Sequence, residues 1–345
     1  MTKRMIVDTA NILFRVAAAH GKYNAGGDAE DQAGLALHMA LNTLKSHYNK
    51  VRPDEIALTF EGANNWRKAY TKSDECVSKR IYKANRVKDD SMIPFFELIK
   101  SFENLCREHT SIVCLSNEHV EGDDLFAGYV QKYAAPEFIE AGDETYGLSG
   151  DKDFVQLLKH PNFKLLNPDK LGAVRDTDKK GNKIDPEYFM FEKAFRGDAG
   201  DNVMPAYPKV RSTRLQKAYV DEFERTNCMN HVWTFNEPST GEERIFRVGD
   251  LFEENQILMN LERQPQWVRD EIAKTLNHET INHGQFNFFA FQKFCGKYGL
   301  KKISEDATSF VPLFSSTGRS ASSKGESRDE PSLTVKPKRK TTLVF

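Results

Sequence analysis

Short apolar runs at 4–7, 55–60, 111–115, around 146–148 and at 163–166 alternate with stretches of helical spacing at 11–20, 35–48, 94–108 and 123–134, and on to Lys159. Parallel strands need a crossover between them, and helices of this length are the usual crossover. The alternation therefore calls for an α/β fold, a mostly parallel sheet with helices on both faces. The strand endings constrain it further. Residues 6–7 run into Asp8, and 58–60 into Glu61. The run ending near Leu115 leads through a short loop to VEGDD, with Glu121, Asp123 and Asp124. The stretch YGLSGDKDFVQLL delivers Asp151 and Asp153 where a strand gives way to a helix.

Aspartate at a helix start satisfies free amide donors, so capping explains each acid singly. It does not explain why successive strand ends keep supplying them. In an open parallel sheet the carboxyl ends of the strands border one crevice, where ligands bind. Two bare carboxylates ~4 Å apart repel by roughly 4 kcal/mol at an effective dielectric near 20. Such a cluster needs protonation or bound cations, and magnesium, with its preference for oxygen ligands and retained waters, suits a loose ring of acids. Farther on, FRGDAGDNV adds Asp198 and Asp201 on a loop entering a helix. The segment 176–187 approaches a calcium-loop pattern, but Lys180 stands where an oxygen ligand belongs. A polar hairpin turn at Lys180-Gly-Asn is the expectation there.

A basic stretch faces this acidic pattern. Between 67 and 90 there are eight Lys and Arg residues against four acids, interleaved with Tyr70 and Tyr82. Beside a carboxylate crevice such groups suit phosphate contacts and base-stacking platforms. The net charge of −1 conceals this, because basic and acidic patches cancel in the sum. With 39% hydrophobic and 29% charged residues, the chain is expected to be soluble and globular. Its five scattered cysteines form no Cys-x-x-Cys pair, which points to a reducing compartment. No signal peptide or membrane-length apolar run is evident, so a cytoplasmic location and no membrane partner are expected. From Pro186 the pattern is mainly helical, with a hairpin over 232–248. The expected units are 1–195, with a basic arch at 66–90, then a helical region 196–314 and a disordered basic tail 315–345.

The motifs IVDT (6–9), FEGANNWR (60–67), YKANR (82–86), VEGDD (120–124), SGDKDFVQL (149–157) and GDAGDNV (197–203) together resemble the 5′-nuclease (flap endonuclease) superfamily. Within it they are most similar to the ribonuclease H branch of T-even-type phages. The resemblance covers about the first 210 residues. It implies one metal cluster around Asp8, Glu61, Glu121 and Asp123, with Asp124 as an outer neighbour, and a second around Asp151, Asp153, Asp198 and Asp201. Two Mg2+ ions are implied, with Mn2+ as a substitute. Lys83 and Arg86 match arch positions that meet the scissile phosphate, while Arg67, Lys79, Arg80, Tyr82 and Lys88 are the further nucleic-acid contacts assigned to that stretch. The segment from Asn202 to about Phe223 matches a duplex-gripping helix–turn–helix, to which Lys209 and Arg211 belong. Glu61 departs from the aspartate usual there, and MPAYPKVR (204–211) lacks the common Gly-x-Gly turn.

The function implied is a magnesium-dependent 5′→3′ exonuclease or flap endonuclease with ribonuclease H activity. Its substrates would be RNA–DNA hybrids, nicked duplexes and flaps with 5′ ends, and its role the removal of RNA primers in phage replication. The alternative is a catalytically silent DNA-junction-binding protein. A monomer is expected. The tail, closing on apolar Leu343, Val344 and Phe345, suggests an anchor for a sliding clamp or single-strand-binding protein.

Overall fold

The computed structural model describes residues 1–21, 29–86, 92–237, 241–279 and 284–315. The chain begins with β1 (Lys3–Asp8), α1 (Thr9–Gly21), α2 (Ala29–Val51), β2 (Glu55–Thr59), α3 (Trp66–Lys72), α4 (Ile93–His109) and β3 (Val113–Leu115). It continues through α5 (Gly122–Tyr133), α6 (Pro136–Glu140), β4 (Glu144–Leu148), a 3₁₀ segment (Asp153–Lys159), β5 (Phe163–Leu166) and α7 (Pro186–Arg196). Then follow α8 (Ser212–Val220), α9 (Glu222–Met229), the hairpin β6 (Val232–Asn236) and β7 (Glu243–Arg247), α10 (Val248–Met259), α11 (Gln266–Glu279), α12 (Phe288–Lys297), α13 (Lys301–Glu305) and α14 (Val311–Phe314).

The first five strands pair in the order β3-β2-β1-β4-β5, all parallel. The chain builds outward from β1 to β3, then crosses back through α5 to β4 on the other side of β1. The direction of winding therefore reverses between β1 and β4, where such sheets leave a crevice at their carboxyl edge. Register decides what lines it. Asp8 pairs with Thr59, and Val7 with Leu148, so Ser149 follows level with Asp8.

Alternation along the strands separates two cores. Met5, Val7, Ile56, Leu58 and Leu148 pack under α2, α4 and α12. Ile6, Ala57, Val113 and Leu165 face α5 and α11. A third core joins α7, α8 and α10 around Phe195, Leu215, Leu251 and Phe252.

This packing redraws the expected boundary at 196–314. Residues 186–259 build the third core, but α11 lies on α5 and α12 on α4, and Phe291, Phe310 and Phe314 complete the first core. Buried there, these rings are removed from water, which drives the docking of this segment on the first core. The segment expected to be helical from Asn202 is also different. Residues 197–211 form a loop pinned by a bridge between Asp198 and Val203, and helix resumes only at Ser212. The hairpin turn near Lys180 is present, with a bridge between Thr177 and Lys183 and Gly181 at φ 85°. The tail beyond Ser315, and Lys88, lie outside the described residues. All five cysteines are free and buried. No helix among the described residues is long and apolar enough to cross a membrane.

Candidate active site

Asp8 is both a helix cap and a crevice acid. Its Oδ1 accepts the Asn11 N–H at 3.0 Å, while Oδ2 accepts the Ser149 hydroxyl at 2.8 Å. The side chain is only 7% exposed. Burial pushes its carboxyl up to about 7; its two hydrogen bonds oppose that shift, and the charges of Asp151 and Glu61 add to it. Asp123, on the first turn of α5, is pushed well up by burial and then by Asp8, Glu61, Glu121 and Asp151. Glu61 is exposed as a residue, while its carboxyl turns to α5 and accepts the Gly122 N–H at 3.3 Å. Loss of water around the carboxyl, then the Glu121 charge, raises it. Four strand ends thus converge on one point, as Asp8, Glu61, Glu121–Asp123 and Asp151.

Glu121 is treated differently. Lys83 Nζ and Asn65 Nδ2 each reach its Oε1 at 2.5 Å, and Arg67 Nη1 reaches Oε2 at 2.5 Å. Arg67 also forks onto Asp124, with Nη1 on Oδ2 and Nη2 on Oδ1, both at 2.7 Å, and its Nε donates to the Leu258 carbonyl. Trp66 Nε1 and Gln264 Nε2 supply further donors to Asp124. Burial tends to raise Asp124, but the Arg67 charge and these bonds override it and hold the carboxyl below its ordinary range.

The second group is built on Asp151, Asp153 and Asp198. Asp151 Oδ1 caps the Asp153 N–H at 2.8 Å. Asp153 is left free of capping and pairs with Lys193 of α7, which also meets Asp198 at 3.3 Å. Burial raises Asp153, Lys193 counters, and Asp151 and Asp198 raise it further. Gly197 aims this loop: its φ of 67° suits glycine, and a Cβ there would stand 2.6 Å from the Val203 carbonyl. Asp201 turns toward the basic stretch. Its Oδ2 accepts the Tyr82 hydroxyl at 2.7 Å and its Oδ1 accepts Arg86 at 2.6 Å.

The sequence expectations meet this geometry unevenly. Asp8, Glu61, Glu121, Asp123 and Asp151 come together, as do Asp153 and Asp198, with Lys83 and Arg86 at the rim of the crevice. Among the described residues, however, no three of these acids stand as a ready-made cage for one ion. Lys83, Arg67, Lys193 and Arg86 are drawn in among them instead. As a donor set the acids still fit a hard divalent cation, being oxygen-only and underneutralised around Asp8 and Asp123.

Two assignments change, and a third takes a definite form. Arg67, expected on nucleic acid, is 2% exposed and wholly engaged by Glu121, Asp124 and Leu258. Tyr82, expected as a stacking platform, is 5% exposed and packs in the third core. Asp124, named as the outer neighbour of the first metal cluster, has both oxygens occupied by protein donors. In each case a buried charge or hydroxyl had to find a partner inside the protein.

Lys79 and Arg80 stay on the turn, Lys79 bonded to the Ser73 and Asp74 carbonyls and Arg80 over the Phe235 ring at 5.0 Å. Lys209 and Arg211 are exposed and share one shallow hollow with Arg214 and Lys217. Sequence reasoning missed Lys193, which has no motif around it, and Arg175, which donates to the Ser149 and Asp151 carbonyls at 2.9 and 2.8 Å.

Residues 3–193 match the family model of the 5′–3′ exonuclease, N-terminal resolvase-like domain. No curated protein gives a significant match. Among solved structures, the D15 protein of phage T5 co-crystallised with metal ions is similar at 19% identity and a TM-score of 0.55, over 80% of this chain and 98% of that one. A T5 5′-exonuclease with a lysine-to-alanine substitution is similar at 20% identity and a TM-score of 0.51, over 81% and 99%. The bacteriophage T5 D15 flap endonuclease, in a pseudo-enzyme–product complex with DNA and metal ions, is similar at 18% identity and a TM-score of 0.54, over 81% and 100%. At these identities the structures speak for a shared fold, while the family match spans more than half of the chain. The chain belongs to the 5′–3′ exonuclease family.

Proposed function

We propose that the protein is a divalent-metal-dependent 5′-nuclease acting on 5′ ends of RNA–DNA hybrids, nicked duplexes and flaps, with primer removal in phage replication as its role. One observation carries this reading: carboxylates from four strand ends meet in a single crevice whose rim holds Lys83 and Arg86. Asp8, Glu61, Glu121 and Asp123 would hold one ion and Asp151, Asp153 and Asp198 a second, Mg2+ or Mn2+. Asp201, turned toward Tyr82 and Arg86, would border the second site. Bound there, such ions supply Lewis-acid charge to a phosphodiester.

The protein's own groups do the rest. Lys83 and Arg86 place positive charge where the phosphate oxygens gain negative charge, which favours the transition state over the bound substrate. Lys209, Arg211, Arg214 and Lys217 offer phosphate contacts that fix a duplex without reading its sequence. Arg67 and Trp66 act one layer out, fixing Glu121 and Asp124 so that α5 presents Asp123. A silent junction-binding protein would gain nothing from acids held at raised pKa values, and nothing in the geometry favours that reading.

The test is cleavage of end-labelled flap, nicked and hybrid substrates in Mg2+ and in chelator. Magnesium-dependent products from 5′ ends are expected, lost in Asp151→Asn and Asp153→Asn while much of the DNA binding remains. Cutting by both variants at the normal rate would overturn the assignment. For the tail, deletion of 341–345 should leave cleavage by the isolated protein unchanged and abolish any stimulation by a sliding clamp or single-strand-binding protein.

A further inference from the structure

The basic turn from Val77 to Arg86 has little regular structure, yet it carries two lysines in the left-handed region, Lys79 at φ 53° and Lys83 at φ 56°. Non-glycine residues stay there only when their surroundings over-determine them. Those surroundings come largely from the C-terminal unit. Glu254 of α10 is 3% exposed, and its carboxylate accepts the backbone N–H groups of Val77 and Ser78. From β7, Arg244 closes the other side, donating to the Ser78 carbonyl at 2.9 Å and the Val77 carbonyl at 3.1 Å.

A buried carboxylate is costly unless its charge is answered, and here backbone donors of the basic turn answer it. The next residue, Asn255, ties the same helix to the Ala194 and Met204 carbonyls. Thus α10 braces both the basic turn and the loop that carries Asp198 and Asp201. Beyond the clamp, the Lys83 N–H meets the Asp201 carbonyl at 2.8 Å and Asn202 holds the Ile81 carbonyl at 2.9 Å.

We propose that Glu254 and Arg244 are positioning residues for cleavage: by gripping Val77 and Ser78 from both sides they fix the turn that sets Lys83 and Arg86 against the acidic crevice. This rests on the nuclease reading above and deepens it. Neither residue touches the crevice acids, so the expected loss is in the chemical step rather than in binding. A displacement of about 1 Å at a positioned cation is enough to slow chemistry about a hundredfold.

The experiment compares the full chain with Arg244→Ala, Glu254→Ala and Glu254→Gln on a 5′-flap duplex in Mg2+. It measures single-turnover rate, equilibrium Kd, and amide hydrogen exchange at Val77 and Ser78. Glu254→Ala should cut about a hundredfold slower and Arg244→Ala about tenfold slower, with Kd within about twofold and faster exchange in both. Glu254→Gln, which keeps an acceptor oxygen, should recover most of the rate. Arg244 is half-exposed on a hairpin, so its truncation decides the matter even if Glu254→Ala does not fold. Normal single-turnover rates in the clamp variants, or equal losses in rate and affinity, would overturn the proposal. A full chain that cuts while the clamp variants are indifferent removes this inference alone; a full chain that does not cut removes the nuclease reading and this one with it.

Discussion

Asp8, Glu61 and Asp123 face one another with little protein charge to neutralise them, whereas Asp153, Asp198 and Asp201 each have Lys193 or Arg86 at hand. Both groups sit at the same sheet edge, and both use capping bonds, at Asp8 and at Asp151. The difference lies in what each leaves unbalanced. In the first, burial and then the neighbouring carboxylate charges raise the carboxyl pKa values, with Asp8 at about 7. In the second, burial still raises Asp153, but Lys193 counters it, and Asp201 is held low: burial tends to raise it, but Lys83, Tyr82 and Arg86 prevail. Beyond the cap that Asp8 gives α1, crowded carboxylates cost the fold stability, and the proposed function accounts for them by the cations they would bind.

The sharpest way to break this contrast is Asp123→Asn. It should lower cleavage by about a thousandfold, equivalent to ~4 kcal/mol of transition-state stabilisation. It should also raise Tm above neutral pH, since one repelling charge is gone. A lower Tm at pH 8 would show that Asp123 is structural. Next in size is Arg67→Ala, which leaves Asp124 buried and unpaired and should destabilise the protein by about 3–5 kcal/mol in chemical denaturation. Arg67→Lys, unable to fork onto two carboxylates, should recover only part of that.

Lys193→Met should be milder, about 1–2 kcal/mol, because Asp153 and Asp198 remain partly open to solvent and water screens them. The loss should shrink when Mg2+ is added, as divalent charge replaces the ammonium. A loss matching that of Arg67→Ala would erase the distinction between the two groups.

The last contrast is in pH dependence. The folded-state pKa of Asp8, about 7, stands above its ordinary 3.8, so the folded protein binds that proton more tightly than the unfolded chain. Its contribution to stability is complete below about 3.8 and is lost as pH rises through about 7. Thermal melts without divalent ions should therefore weaken across that window, by less in Asp8→Asn. Added Mg2+ should raise Tm more at pH 8 than at pH 5.5.

Much of this was legible in the chain. Strand bounds and the acids at strand ends follow from apolar period and position, which are local properties. The fates of Arg67 and Tyr82 were not, because each answers to partners far away in sequence: Arg67 to Asp124, Tyr82 to Asp201. A charge run reads as a phosphate surface until the fold shows which of its members lie inside. Lys193 was invisible for a related reason, since only the packing of α7 beside the 3₁₀ segment brings it to Asp153. The aromatic residues of α12 to α14 read as part of a helical appendage, and only the sheet face they cover reveals them as core.

The most direct measurement is Mn2+ binding followed by electron paramagnetic resonance, with Asp123→Asn and Asp153→Asn beside the unaltered protein. Two ions bound per chain, one weakened by each substitution, is the result required if both acidic groups are ion sites. No binding, or binding indifferent to both substitutions, would mean that these strand-end acids serve the fold alone.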